Sequence, residues 1–178
     1  SDINLKLLRE DKKVVLGNAG ASLLDLGDGV ACLEFHSKMN ALGSEQLDMI
    51  EKAKDEVRKN FAGLVIGNQA KHFSAGVNLN LFVEHIRGKA WDRIDQLLQS
   101  FQQATGGIRG FEKPVVVACH GYALGAACEM VLGADQVLAA GETYMGLPEV
   151  RVGLIPGAGG CKEMLVRALE WSFSEQAK

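Results

Sequence analysis

The sequence predicts an α/β protein. Short apolar runs of strand length alternate with stretches of helical period, and glycines gather at the exits of those runs. No repeat, low-complexity tract or linker interrupts the alternation. The 178 residues therefore read as one domain, 1–178, large enough for a real core.

Gly27 and Gly29 place a turn ahead of Val30–Phe35, an apolar run that reads as a strand. Ser44 is a good N-cap for the helix that follows, in which Leu47, Ile50 and Val57 fall near helical spacing through Lys59. Gly63–Gly67 reads as a buried strand, and a polar, glycine-bearing loop occupies 71–80. From Leu81 to about Thr105 the pattern is helical, broken near Gly88. Pro114 stops it and introduces Val115–Cys119, a continuous apolar run suited to a strand buried on both faces. Gly121 and Gly125 flank a predicted turn, and 126–132 reads as a short helix. Gln136–Ala139 and 143–145 read as strands, Pro156 to Gly160 as a glycine loop, and 161–169 as the last helix.

Composition sets several function classes aside. A formal net charge of -3 gives no reason to expect nucleic acid or an acidic membrane as a partner. No stretch approaches the roughly 18 apolar residues of a membrane span, and the charged opening over 1–13 is no signal peptide. Cys32, Cys119, Cys128 and Cys161 share no zinc-type spacing, so no metal site is predicted. The first three lie among apolar or small residues and read as reduced, buried thiols, which fits a cytoplasmic location. His36, His72, His85 and His120 form no catalytic or metal-binding pattern and read as structural or surface residues.

Three segments carry chemistry. In His72–Leu79, Gly76 lets backbone N–H groups approach a ligand, although a plain strand-to-helix turn looks the same. In Gly121–Glu129, small residues at 125–127 open a helix whose first N–H groups lack intrahelical partners and suit negative charge on an oxygen. Glu129 sits about one turn in, beside Cys128, Met130 and Val131. It is either a carboxyl tuned by apolar surroundings or an ordinary first-turn glutamate favoured by the dipole. The third segment sets Glu149 after Pro148, a fixed loop or strand entry, and continues to Pro156-Gly-Ala-Gly-Gly160. That glycine stretch lacks the Lys-Ser/Thr ending of a phosphate loop and does not fit GxGxxG, so it reads as a tight turn feeding a helix.

The phrases KHFSAGVNL (71–79), ACHGYALGAACE (118–129) and LPEVRVGLIPGAGG (147–160), in that order, resemble the crotonase, or enoyl-CoA hydratase/isomerase, superfamily from about Val30 to Leu169. The resemblance implies the ClpP-like crotonase spiral of repeated ββα units. It also implies an oxyanion hole for an acyl-CoA thioester, built from the backbone N–H groups of Val77 and Ala126. Two catalytic glutamates are implied at Glu129 and Glu149. The presence of both favours hydration of a trans-2-enoyl-CoA to a 3-hydroxyacyl-CoA, as in fatty-acid β-oxidation, since isomerases of this kind typically keep the later one alone. On this reading Glu129 activates the water and Glu149 protonates the α-carbon.

By the same resemblance coenzyme A, part of the substrate rather than a cofactor, lies along Lys71, Ser74, Ala75, Gly76, Asn78 and Leu79, with Gly125 and the loop bearing Lys38, Asn40 and Ala41. Lys38 and Lys71 would meet its phosphates or adenine, or be solvated surface lysines. No metal or redox cofactor is expected. Asn78 stands where the family usually has Asp, and Ala126 where Gly is more frequent. The family's C-terminal helices, which close the acyl pocket and build a homotrimer or dimer of trimers, are expected to lie outside this chain. The layout also resembles the crotonase portion of proteins fused to a 3-hydroxyacyl-CoA dehydrogenase region. The alternatives are a Δ3,Δ2-enoyl-CoA isomerase and a non-catalytic acyl-CoA-binding module.

Overall fold

The computed structural model describes residues 3–176, with side chains through Ser172. Two strands the sequence analysis missed open the main sheet, β1 (Val14–Gly17) and β2 (Ala21–Gly27), preceded by a one-and-a-half-turn helix, α1 (Leu5–Glu10). They run antiparallel with the predicted strand β3 (Val30–Phe35), and the β2–β3 hairpin closes through the expected glycine turn. The sheet then continues in parallel through β4 (Gly63–Gly67), β5 (Val115–Cys119) and β7 (Gln136–Ala139), in the order β1-β2-β3-β4-β5-β7.

Strands β2 and β3 bury side chains on both faces, because both sheet faces are covered here. Leu23, Ala31, Leu33 and Phe35 enter the main core, whereas Leu24 and Cys32 face the other way onto Leu5 of α1. Helix α2 (Ser44–Asn60) lays Leu47, Met49, Ile50, Ala53 and Val57 on the main-core face. Its cap corrects the sequence reading: Gly43, not Ser44, is the N-cap, and its N–H donates to Gln46 Oε1 at 3.0 Å. At the other end Lys113 Nζ donates to the carbonyls of Val57 (2.7 Å), Arg58 (2.8 Å) and Phe61, supplying the partners a helix terminus lacks.

The predicted helical region after the loop is two helices, α3 (Leu79–Arg87) and α4 (Trp91–Arg109), parted at Gly88 as expected. Helix α3 starts two residues earlier than predicted, because the Asn78 side chain accepts from Asn80 N–H and caps it. The residues between Gly121 and Gly125 are not a turn but a short strand, β6 (Tyr122–Leu124), which leads into α5 (Ala126–Gly133). It pairs in parallel with β8 (Tyr144–Gly146) to form a second, smaller sheet. Glu149–Val152 forms a 3-10 turn rather than a loop or strand entry, and α6 (Gly160–Gln176) extends past the predicted end at Leu169. The ββα rhythm is present as β5-β6-α5 and β7-β8-α6. Among the described residues, no helix is long and apolar enough to cross a membrane.

Candidate active site

The small sheet is a staircase, and the candidate site lies along its edge. Ser74 bridges to Ala123 in parallel, Leu42 bridges to Val77, and β6 pairs with β8. In the second bridge Leu42 N–H donates to Gly76 O at 2.8 Å and Asn78 N–H to Leu42 O at 2.9 Å. This alternation leaves the Val77 N–H with no acceptor among the described residues. The Ala126 N–H also has none, because Ala126 is the first residue of α5.

Two glycines bring these amides together. Gly76 has φ +88°, and a Cβ there would sit 2.5 Å from Leu124 O and 3.6 Å from Gly125 Cα. Gly125 has φ +56°. Only a residue without Cβ adopts such a backbone at this separation without strain. The Gly76–Val77 and Gly125–Ala126 segments therefore touch, which is the role of Gly76 here, rather than approach to a ligand alone. Ser74, fully buried, ties the first segment down: its Oγ donates to Asn40 O at 2.7 Å and accepts from Gly76 N–H at 3.1 Å. Asn40, also buried, donates through Nδ2 to His72 O at 3.0 Å.

Glu149 lies beside Gly125, and Glu129 stands one turn further along α5, its N–H bonded to Gly125 O. Glu129 is buried on α5, and its Oε1 accepts from the N–H groups of Ala158 (3.0 Å) and Gly160 (2.8 Å). Burial pushes its pKa up, the amides of Gly160 and Ala158 pull it down, and the negative charge of Glu149 adds to the rise, which prevails. Glu129 is thus no ordinary first-turn glutamate facing solvent. Glu149 opens the 3-10 turn, and its Oε1 lies 3.2 Å from where a Cβ on Gly125 would stand. Its Oε2 is buried without a hydrogen-bond partner among the described residues. The nearby Cys128 thiol is pushed up to about 11, chiefly by burial and then by the two carboxylates, so it stays protonated.

The residues assigned to coenzyme A fall into two groups. Lys38, Ala41 and Asn78 line one cleft of about 270 Å³ together with Ser37, Gly43 and the first turn of α2. Ser74, Ala75, Gly76, Leu79 and Gly125 lie on or beside the paired amide segments, and Lys71 is exposed just ahead of them. Ala75 N–H donates to Met39 O at 3.1 Å, which joins the two loops. Asn40 does not face the cleft but acts as a buried strut.

Sequence reasoning missed the partners of Glu129. Ala158 and Gly160 belong to the glycine loop that it read as a tight turn, and nothing local marks them as donors to a residue 29 and 31 positions away. His36, His72 and His120 are structural as expected, bonding Ser22 Oγ, Tyr122 N–H and Ala70 O respectively. Cys32, Cys119 and Cys128 are buried and free, and Cys161 is exposed.

Comparison with known proteins places the chain in a family. The model of the enoyl-CoA hydratase/isomerase family matches residues 25–177. A probable 3-hydroxyacyl-CoA dehydrogenase of Bacillus subtilis (strain 168) is 46% identical over 94% of this chain and 21% of its own length. A 2,3-dehydroadipyl-CoA hydratase of Escherichia coli (strain K12) is 34% identical over 71% of this chain and 46% of its own. The crystal structure of an enoyl-CoA hydratase from Polaromonas sp. JS666 superposes with a TM-score of 0.76 at 27% identity, covering 80% of this chain and 56% of that one. The chain thus spans less than half the length of either curated relative.

Proposed function

Because this chain belongs to the enoyl-CoA hydratase/isomerase family, we propose that it hydrates a trans-2-enoyl-CoA to the 3-hydroxyacyl-CoA. The observation that carries the reading is a pair of interacting carboxyls, Glu129 on α5 and Glu149 beside Gly125, next to the α5 start where the Ala126 N–H has no acceptor among the described residues. Water must add oxygen to the β-carbon and a proton to the α-carbon of the conjugated thioester. As the β-carbon is attacked, negative charge passes to the thioester oxygen, where the N–H groups of Val77 and Ala126 stabilise it. Glu129, whose raised pKa suits a proton acceptor and whose Oε1 two amides orient, takes the proton from water. Glu149, with Oε2 free of partners, delivers one to the α-carbon. The chemistry is redox-neutral and draws on no group beyond the substrate's own coenzyme A.

The cleft at Lys38, Ala41 and Asn78 supports placing the coenzyme A moiety there, with Lys38 as an exposed cation for phosphate. In the whole protein we propose an accompanying 3-hydroxyacyl-CoA dehydrogenase region, on the name of the Bacillus relative, which would oxidise the product formed here.

The test is hydration of crotonyl-CoA by the intact protein, followed by loss of the enoyl-thioester absorbance. Glu129→Gln and Glu149→Gln should each lower kcat by about 10²–10⁴-fold. A Glu129→Gln protein that still shifts a Δ3 double bond to Δ2 at the wild-type rate would establish the isomerase instead. Tight acyl-CoA binding without turnover by the wild type would establish a binding module.

A further inference from the structure

The glycine loop that grips Glu129 is itself gripped from behind, by side chains of α4 that the reaction does not touch. The peptide joining Gly157 to Ala158 is bonded at both ends. Its carbonyl accepts from Gln102 Nε2 at 2.8 Å, and its N–H donates to Glu129 Oε1 at 3.0 Å. One residue on, the Ala158 carbonyl accepts from the buried Thr105 hydroxyl at 2.7 Å, the shortest of that hydroxyl's contacts with carbonyl oxygens. The peptide joining Gly159 to Gly160 is likewise held at both ends, donating to Glu129 at 2.8 Å and accepting from Glu163 N–H at 2.9 Å in the first turn of α6. A hydrogen bond accepted at a peptide carbonyl polarises the N–H of the same plane, so each donor to Glu129 is strengthened and aimed from its far side.

We propose that Gln102 and Thr105 are positioning residues of the active site, which orient the 157–160 loop so that its amides stay on Glu129. The inference rests on the reading of Glu129 as the base that activates water. Thr105 Oγ1 also approaches Ala158 O of this loop, at 2.7 Å, more closely than Phe101 O of its own helix, at 3.0 Å. An ordinary buried helical threonine bonds back to its helix. The charged and titratable groups around Glu129 are Glu149 from the 3-10 turn and Cys128 on its own helix. Lys162 and Glu163 stand at the start of α6, where Glu163 is paired with Lys162 and with Arg109 of α4. None of these is altered by changing Gln102 or Thr105.

Loosening the loop weakens two bonds that favour the ionised carboxyl, so the Glu129 pKa must rise. The test compares Thr105→Val with its rescue Thr105→Ser, and adds Gln102→Leu, which changes an exposed side chain and spares the fold. In the intact protein the acidic limb of kcat/KM for crotonyl-CoA should move up by about 0.5–1 pH unit in Thr105→Val and Gln102→Leu and return in Thr105→Ser. Carbon-13 NMR titration of the Glu129 carboxyl, assigned with Glu129→Gln, should show the same shift without any substrate. If the wild type proves inactive, this titration alone still decides the inference. A Glu129 titration unmoved in both Thr105→Val and Gln102→Leu, whatever their melting temperatures, overturns it.

Discussion

Glu129, the base of the proposed reaction, comes at a cost to the fold. Its pKa in the folded protein lies above the ordinary carboxylate value, so folding binds its proton more tightly than the unfolded chain does. Stability is therefore greatest below the unfolded value and is lost as pH rises from there through the raised one. Above that window the wild type carries a buried charge that Glu129→Gln lacks, while the glutamine Oε1 keeps both amide bonds. Thermal melts should find Glu129→Gln more stable than wild type at neutral pH, with the difference shrinking as pH falls through the window. A difference that grows toward acid would contradict the sign. Met130, Val131 and Cys128 announce the apolar setting of this carboxyl in the sequence. Its amide partners do not show there, since a peptide N–H has no residue type and these come from across the fold.

At the scale of the element, α5 is built to leave one amide unused. Its first residue has an N–H that no helix bond can claim, and proline is tolerated at that position for the same reason. Ala126→Pro should thus delete one donor while keeping the helix. It should lower kcat by about 10²–10³-fold with a small change in KM, and leave the far-ultraviolet circular dichroism of the protein intact. The elements that escaped sequence reading are short or impure. Strand β6 has three residues between two glycines, so its period is invisible. Strand β2 carries Ser22 and Asp25 within its apolar run, and the buried Ser22 hydroxyl is met by His36 Nε2 at 3.0 Å. The uninterrupted apolar runs, β4 and β5, were legible although they are shorter than β2, because they lie mid-sheet with both faces covered.

At the scale of the molecule, the core leaves several large apolar side chains uncovered. Leu138 on the edge strand β7, Ile155 before the glycine loop, and Met164 and Leu165 on α6 are all more than half exposed. Exposed apolar surface on this scale marks an interaction face. The 178-residue chain by itself should therefore self-associate, with a weight-average sedimentation coefficient that rises across the micromolar range. A single concentration-independent species would refute this. The α/β class could be read from the alternation of elements, but the strand order could not. It depends on which strands pair across long crossovers, and only the turn at Gly27 and Gly29 advertises a neighbour.

The rung between Ser74 and Ala123 acts as a gauge block for the site, because Val77 and Ala126 each lie three residues beyond it. Their spacing is fixed by counting along two chains from one shared mark. Removing or adding a residue on one side would displace a donor by about 3.3 Å, further than a hydrogen bond can stretch. The side chains at 77 and 126 answer to the core they pack on, whereas the donors answer to the number of residues leading to them.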